Sequence, residues 1–384
     1  MAGKKDSISL LCVGDIMPGG VLPYQDRYMA GDVLDYMRQF DLRIGTLECG
    51  VGTDLPFDEV KFRDDMSNIY VRNEDLFRLQ ELDINVVTLA NNHAFDLGLA
   101  GYENAVRQLD QLGIQYCGAG HNREEAGRPA VVRIKGKTLA FLGCMIDPPC
   151  VRMYHVASET DFGVFQVGIE ELVKTVAELK TQYDYVFVLP HWGVEHTYYP
   201  PVDCKQQAMR LIDAGADAVI GSHPHLVNPV VRYKGKYIYY SMGNFLFPDK
   251  CIQAPRPMYY PASAEECHAL KRVWTYPYRV QGPVVAVWRG RNRIGMMVEL
   301  QLGRRKRIAS RYRLTQLTAE NVLMAYSSCL FRLRMRVLGV LMKLPRYYIV
   351  RRLLISKYNL FSGVLDKSKA CNIAVEAEDY EHIG

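Results

Sequence analysis

Five short apolar runs constrain this chain more than anything else in it: ISLLCV (8–13), RIGTLE (43–48), INVVTLA (84–90), YVFVLP (185–190) and ADAVIG (216–221). Each is continuous rather than alternating, as a strand reads when both of its faces are buried. Four of the five then stop at Gly, Asn, Pro or His. Between them lie helical patterns: NEDLFRLQEL (73–82), with Asn73 placed to cap, GYENAVRQLDQLG (101–113), GIEELVKTVAELK (168–180) and CKQQAMRLIDAG (204–215). Strand and helix in alternation predict an α/β fold with helices packed on the faces of a sheet. VVRIKGKTLAFLG (131–143) and VVRYKGKYIYYSMGNF (230–245) each set a Lys-Gly-Lys turn between strand-like runs and predict hairpins, and 282–302 reads as a third. The sheet is therefore expected to be mixed, or to be two facing sheets between helical layers.

Reacting groups in such folds collect in loops beyond the carboxyl ends of the strands. Here those ends carry Asp15, Glu48, Asn91-Asn92-His93, His191, and the pair His223 and His225. Any one of these has an ordinary reading as a turn, a cap or a hydrogen-bonded core residue. Together, at five strand ends, they predict a metal centre. Two divalent ions about 3.5–4 Å apart need a carboxylate that touches both, with terminal nitrogen and oxygen ligands on either side, to clamp a phosphoryl group and hold a nucleophilic water. Mixed carboxylate, amide and imidazole ligands suit Mn, Fe or Zn better than Mg or Ca. In GSHPH (221–225), Pro224 should push His223 towards extended backbone, letting the two rings diverge to one ion each.

Composition bounds the rest. In 384 residues, 49% hydrophobic and 23% charged content is that of a soluble globular chain, without repeats or low-complexity tracts. The opening MAGKKDSISLLCVGD has too short an apolar run for a signal peptide or a membrane span, so a cytoplasmic protein is expected, peripheral at most to the inner face of the membrane. Ten cysteines without zinc-type spacing read as buried free thiols, in agreement with a reducing compartment. Residues 301–357 hold 14 Lys and Arg against the single acid Glu320, a local balance of +13; the remainder, 33 basic against 41 acidic residues, balances at −8. From 321 to 344 the spacing is helical, with Arg332, Arg336 and Lys343 on one narrow face, and 346–358 continues the same chemistry beyond Pro345. These features predict a main domain over 1–315 and a basic helical extension over 316–384, docking through 321–358 to a membrane surface or a protein. The absence of Gly-rich aromatic motifs disfavours nucleic acid, and the acidic end, 375–384, is expected to fray.

The motifs GDIM (14–17), TLE (46–48), LANNHAFDLG (89–98), GAGHNREEA (118–126), HWGVEHTYYP (191–200), GADAVIGSHPHLV (215–227) and YSMGNFLF (240–247) resemble, in order and spacing, those of CapA-type poly-γ-glutamate capsule synthesis proteins, which are similar to calcineurin-like metallophosphatases. The resemblance covers roughly residues 8 to 250. It implies a four-layer α/β/β/α sandwich of two mixed sheets and a phosphoesterase-like hydrolase using two divalent metal ions, acting on a phosphorylated or polymeric cell-surface precursor. The alternative is a non-hydrolytic accessory protein of capsule synthesis that retains the fold. Carried over by position, Asp15 and His225 bind one ion, Asn92, His191 and His223 the other, and Glu48 bridges both. His93 would protonate the leaving oxygen, and the spacing suggests Asp96 as its orienting partner. Asn91, Glu195 and Asn244 are expected to support the ligands or touch substrate, Asn244 through backbone contacts. The metallophosphatase pattern has a histidine where this chain has Met17, so the first ion loses an imidazole. His121 and His155 read as surface residues.

Overall fold

The computed structural model describes residues 7–63, 68–147, 153, 155–254, 257–273, 282–303 and 307–362. Two mixed sheets dominate an α/β fold. In the first, the strands lie in the order Leu323–Tyr326, Ile308–Leu317, Ile294–Leu302, Ile8–Ile16, Leu42–Leu47, Val86–Thr88, Gln115–Cys117, with Asn244–Leu246 added beside Ile8–Ile16. The four N-terminal strands of this sheet run parallel, and the three from 294 to 326 join antiparallel. In the second, the order is Gln166–Gly168, Lys137–Asp147, Tyr185–Pro190, Ala218–Ile220, Lys236–Tyr239, Val230–Tyr233. Both Lys-Gly-Lys turns close antiparallel pairs in this sheet, Ala130–Ile134 with Lys137–Asp147 and Val230–Tyr233 with Lys236–Tyr239.

The continuous apolar runs have a simple cause. Leu10, Cys12, Ile44 and Val86 join Phe141, Phe187, Ala218 and Tyr239 in one core cluster that both sheets share. Their neighbours Leu11, Val13, Leu47 and Val87 point the other way, to a cluster with Val33 and Met37 of helix Gly31–Met37 and Tyr102, Ala105 and Leu109 of helix Gly98–Gln111. On the second sheet, Val186, Val188 and Val219 meet Leu172 and Val176 of helix Ile169–Gln182 and Ala208 and Leu211 of helix Val202–Asp213. With both faces buried, a strand cannot alternate apolar with polar.

Several expectations change. Residues 282–302 do not form a hairpin: Gly282–Ala286 pairs with Lys250–Ala254 and Arg272–Val273 in a separate three-stranded sheet, while Ile294–Leu302 pairs with Ile8–Ile16 and Ile308–Leu317. The connector between them is anchored rather than tightly turned, because Arg293 is buried on the Asp249 carboxylate at 2.6 and 2.8 Å. Asn73 does not cap; Arg72 occupies the cap position, and the Asp75 carboxylate reaches back to its N–H. The expected boundary after residue 315 falls inside strand Ile308–Leu317, and the helical spacing read from 321 includes the edge strand Leu323–Tyr326. Helix begins at Cys329, where the Ser328 hydroxyl accepts from the Phe331 N–H at 3.2 Å, and resumes at Tyr347–Ser362. No helix among the described residues is long and apolar enough to cross a membrane. Of the eight described cysteines seven are buried and Cys329 is exposed, with the Cys251 and Cys267 sulfurs 3.5 Å apart. His121 is exposed as expected, but His155 is half-buried, bonded to Asp58 at 2.8 Å and stacked on Phe162. Cys150, Cys371 and the acidic segment 375–384 lie outside the described residues.

Candidate metal centre

Parallel strands deliver their carboxyl ends to one side, and there the two sheets meet. Asp15 lies within the last turn of pleat of Ile8–Ile16, its N–H donating to Gly243 O at 3.0 Å. Gly14 permits that approach: a Cβ on it would stand 1.7 Å from Gly243 O. Glu48 follows Leu42–Leu47 and is tied by its N–H to Ile16 O at 2.9 Å. The Asn91 amide braces the next loop, donating to Leu47 O at 2.8 Å and accepting from the His93 N–H at 2.9 Å, so Asn91 shapes the loop that presents Asn92 and His93.

Five of the six expected ligands fall in two overlapping groups, and the sixth, Asn92, stands against one of them. Glu48, His191 and His223 form one and Asp15, Glu48 and His225 the other, all buried, with ligand atoms in each group within 4.8 Å of one another. Glu48 belongs to both. Around His191 Nε2 stand Asn92 Oδ1 at 2.8 Å, His223 Nδ1 at 3.1 Å and Glu48 Oε1 at 3.5 Å. An ion with bonds of about 2.1 Å separates adjacent ligand atoms by roughly 3.0–3.4 Å, so this spacing fits a single cation. His191 Nδ1 and Ser222 Oγ share a hydrogen bond at 3.0 Å, which leaves Nε2 facing the cluster. In the second group His225 lies 3.5 Å from Asp15 Oδ2 and 3.6 Å from Glu48 Oε1. Met17 is fully buried in the apolar core and contributes nothing to this group.

The histidine loop is not extended. His223 has φ 96° and His225 φ 51°. Left-handed backbone at two non-glycine residues costs about 1–3 kcal/mol each, a cost typical of functional loops. The turn places His223 in one group and His225 in the other.

Charge makes the same point. Both oxygens of Asp15 and both of Glu48 are buried without a hydrogen-bond partner among the described residues. Burial pushes the Asp15 carboxyl up to about 8, and burial together with the neighbouring Asp15 charge pushes Glu48 well above the carboxylate range. Burial also lowers His191 and His223, and takes His225 down to about 3, so all three imidazoles are neutral. Neutral imidazoles around two unsatisfied carboxylates are a donor set that lacks only positive charge.

Beside this cluster His93 Nδ1–H donates to Asp96 Oδ2 at 2.7 Å. Lys61, which sequence reasoning missed, is buried next to both: its ammonium pairs with Asp96 Oδ1, donates to Asn92 O at 2.7 Å and lies 3.2 Å from His93 Nδ1. Burial alone would raise the Asp96 carboxyl, but Lys61 and His93 hold it below its usual range. Burial and the Lys61 charge bring His93 down to about 4. Nothing in FDEVKFRDDM marks Lys61, a lone lysine in a polar stretch.

Two asparagines hold the histidine loop. His225 Nδ1–H donates to the Asn244 amide oxygen at 2.8 Å, so Asn244 acts through its side chain rather than its backbone. Its Nδ2 donates to Asn292 O at 3.0 Å, and Asn292 Nδ2 donates to His225 O at 3.0 Å. Glu195 is half-buried 3.7 Å from His196, and its charge is felt at Glu48, His223 and His225. The Trp288 ring centroid is 5.1 Å from that of His225, and the ammonium of half-buried Lys250 is 5.6 Å from the Trp288 ring.

A family model described as bacterial capsule synthesis protein PGA_cap matches residues 9–249, which contain every residue of both metal-ligand groups. The chain belongs to this family. Among curated PGA_cap relatives, the PGA biosynthesis protein CapA of Bacillus subtilis is 29% identical over 248 residues, covering 63% of this chain and 64% of that protein. The capsule biosynthesis protein CapA of Bacillus anthracis is 28% identical over 255 residues, covering 64% and 61%. A Mycobacterium tuberculosis protein named "Probable polyglutamine synthesis accessory protein" is 27% identical over 293 residues, covering 64% and 75%. The chain thus spans less than two thirds of the two Bacillus proteins, and residues 250–384 lie beyond the family match.

Proposed function

We propose that this PGA_cap protein is a metal-dependent, phosphoesterase-like hydrolase of cell-surface polymer synthesis, with poly-γ-glutamate capsule as the polymer class its relatives suggest. One observation carries the reading: two buried ligand groups share Glu48, and a His93–Asp96 pair stands beside them. The layering of two sheets over a common core supports a metallophosphatase-like α/β/β/α sandwich. Asn92, His191, His223 and Glu48 would hold one divalent ion and Asp15, His225 and Glu48 the other; Mn, Fe or Zn suits the donors. Bound there, the ions would supply Lewis acidity and charge neutralisation at a phosphoryl group. Asp96 and Lys61 hold the His93 ring at Nδ1, which leaves Nε2 as the atom that, once protonated, would give a proton to a departing oxygen. His93 is neutral in the free protein, and an anionic substrate beside it would raise its proton affinity. The Lys250 ammonium over Trp288 offers a counter-charge for a phosphorylated or polymeric precursor.

The second reading is a non-hydrolytic accessory role in the same pathway. Met17 favours it, since the group around Asp15 has one imidazole only. Elemental analysis of the purified chain, then assays of phosphomonoesters and phosphodiesters with Mn, separate the two. Turnover that His93→Ala abolishes while bound metal is unchanged establishes the hydrolase; bound metal without turnover across the panel leaves the accessory role.

A further inference from the structure

The helix Cys329–Leu341 is apolar on the wrong side. Met335, Leu338 and Gly339 are buried, and Gly339 lets the helix sit close to strand Val230–Tyr233, a Cβ there reaching 3.2 Å from Val230 O. An amphipathic surface helix carries charge opposite such a face. Here the opposite side presents Leu330, Leu333, Val337 and Val340, which are 80%, 57%, 49% and 62% exposed. Wound at about 100° per residue, these four fall within roughly 80° of arc, with Arg334 at one edge and Arg336 at the other. Beyond this helix Leu344, Tyr348, Ile349 and Leu353 are exposed as well, as are Lys343, Arg346 and Arg352. From Asn321 to Leu365 the sequence contains no acid.

We propose that this face docks the protein on an anionic lipid surface, the apolar stripe entering the boundary between headgroups and acyl chains while the flanking cations engage lipid phosphates. Apolar side chains edged by cations on both sides, with no acid among them, match an interfacial helix. Charge argues against a second copy as occupant, because face-to-face pairing would set Arg334 and Arg336 against the same cations. The surface is tied to the candidate centre. Arg334 lies over the Tyr198 ring at 4.0 Å, Tyr347 Oη donates to Pro200 O at 3.0 Å, and Arg351 Nε donates to Tyr199 O at 3.1 Å. That loop leads directly out of His191, Glu195 and His196. Docking would hold it beside the lipid surface, and the proposal stands whether or not the centre hydrolyses anything.

Flotation of the full chain with vesicles of phosphatidylcholine, alone or mixed with phosphatidylglycerol, tests it. The expected result is co-flotation with the phosphatidylglycerol vesicles, weakened by salt. Leu333→Glu with Val337→Glu should reduce it on the order of tenfold or more, and Arg334→Gln with Arg336→Gln should remove the dependence on phosphatidylglycerol. Thermal melts check that these exposed substitutions leave the fold intact, and the arginine pair gives a second readout should the glutamates disturb it. Absence of the full chain from both vesicle types overturns the proposal, as does equal flotation of the glutamate variant. A concentration-dependent dimer dissociated by Val337→Glu also overturns it, assigning the stripe to a second copy.

Discussion

Stripping divalent ions from this protein should make its stability depend on pH in an unusual direction. The Asp15 carboxyl has a pKa of 3.8 when unfolded and is pushed up to about 8 by burial when folded. Folding therefore favours its protonated form. The associated stability is fully present below about pH 4 and is lost as pH rises through about 8. At about 1.4 kcal/mol for each tenfold, the ceiling is about 6 kcal/mol, of which about 4 falls between pH 5 and pH 8. Small domains are stable by about 5–15 kcal/mol, so the ion-free protein would be marginal at the alkaline end. Bound cations invert the trend, because they require both carboxylates ionised and their stabilisation grows with pH. Urea unfolding of the full chain near pH 5 and near pH 8, with chelator or with Mn, measures both effects, and Asp15→Asn removes the Asp15 titration together with its push on Glu48. The expected result is a chelated wild type that loses about 2–4 kcal/mol relative to Asp15→Asn over this range, and loses none of it when Mn is present. Parallel profiles for the two chelated proteins, within about 1 kcal/mol, would refute the view that Asp15 is an unsatisfied ligand.

Asn244→Ala frees the His225 ring that its amide oxygen orients at 2.8 Å, and should weaken metal affinity by about 10- to 100-fold in a Mn titration, with little change in fold. Lys61→Met leaves the Asp96 carboxylate buried without its cation; unfolding should show a loss of about 3–5 kcal/mol, and any phosphoesterase turnover should fall with metal content unchanged. Gly14→Ala forces a methyl group into Gly243 O, so the variant should melt well below the wild type and fail to retain metal on purification.

The strands were legible because burying both faces leaves an unmistakable record, a continuous apolar run that stops abruptly at a polar residue; their order in the sheets was not. Asp15, Glu48, His191 and the two loop histidines were visible for the same reason, each standing at such a stop. Residues that act from elsewhere left no record. Lys61 is 35 positions from Asp96, and Asn292 is 67 from the His225 carbonyl it holds. Neither lies in a periodic segment, and only the folded chain brings them to the centre. The errors have physical causes as well. Over the four residues Leu323–Tyr326 helical and strand periodicities cannot be separated, and pairing with Ile308–Leu317 decides for strand. Residues 282–302 look like a hairpin locally, but Asp249 holds Arg293 and pulls the connector away, so the two strands enter different sheets.

The backbone of the histidine loop shows where local rules yield. Proline disfavours α backbone for the residue before it and points His223 to extended geometry. The observed φ of 96°, with 51° at His225, runs against that local preference. Strain of this kind persists only where surrounding contacts over-determine it. Those contacts are visible: the His196 N–H donates to Pro224 O at 2.8 Å, Asn244 accepts from the His225 ring, and Asn292 donates to the His225 carbonyl. Three groups, on three other segments of the chain, hold a five-residue loop against its own preference. What that arrangement accomplishes is to bring His223 into one ligand group and His225 into the other, both sharing Glu48, a placement for which a relaxed, extended GSHPH would have no need.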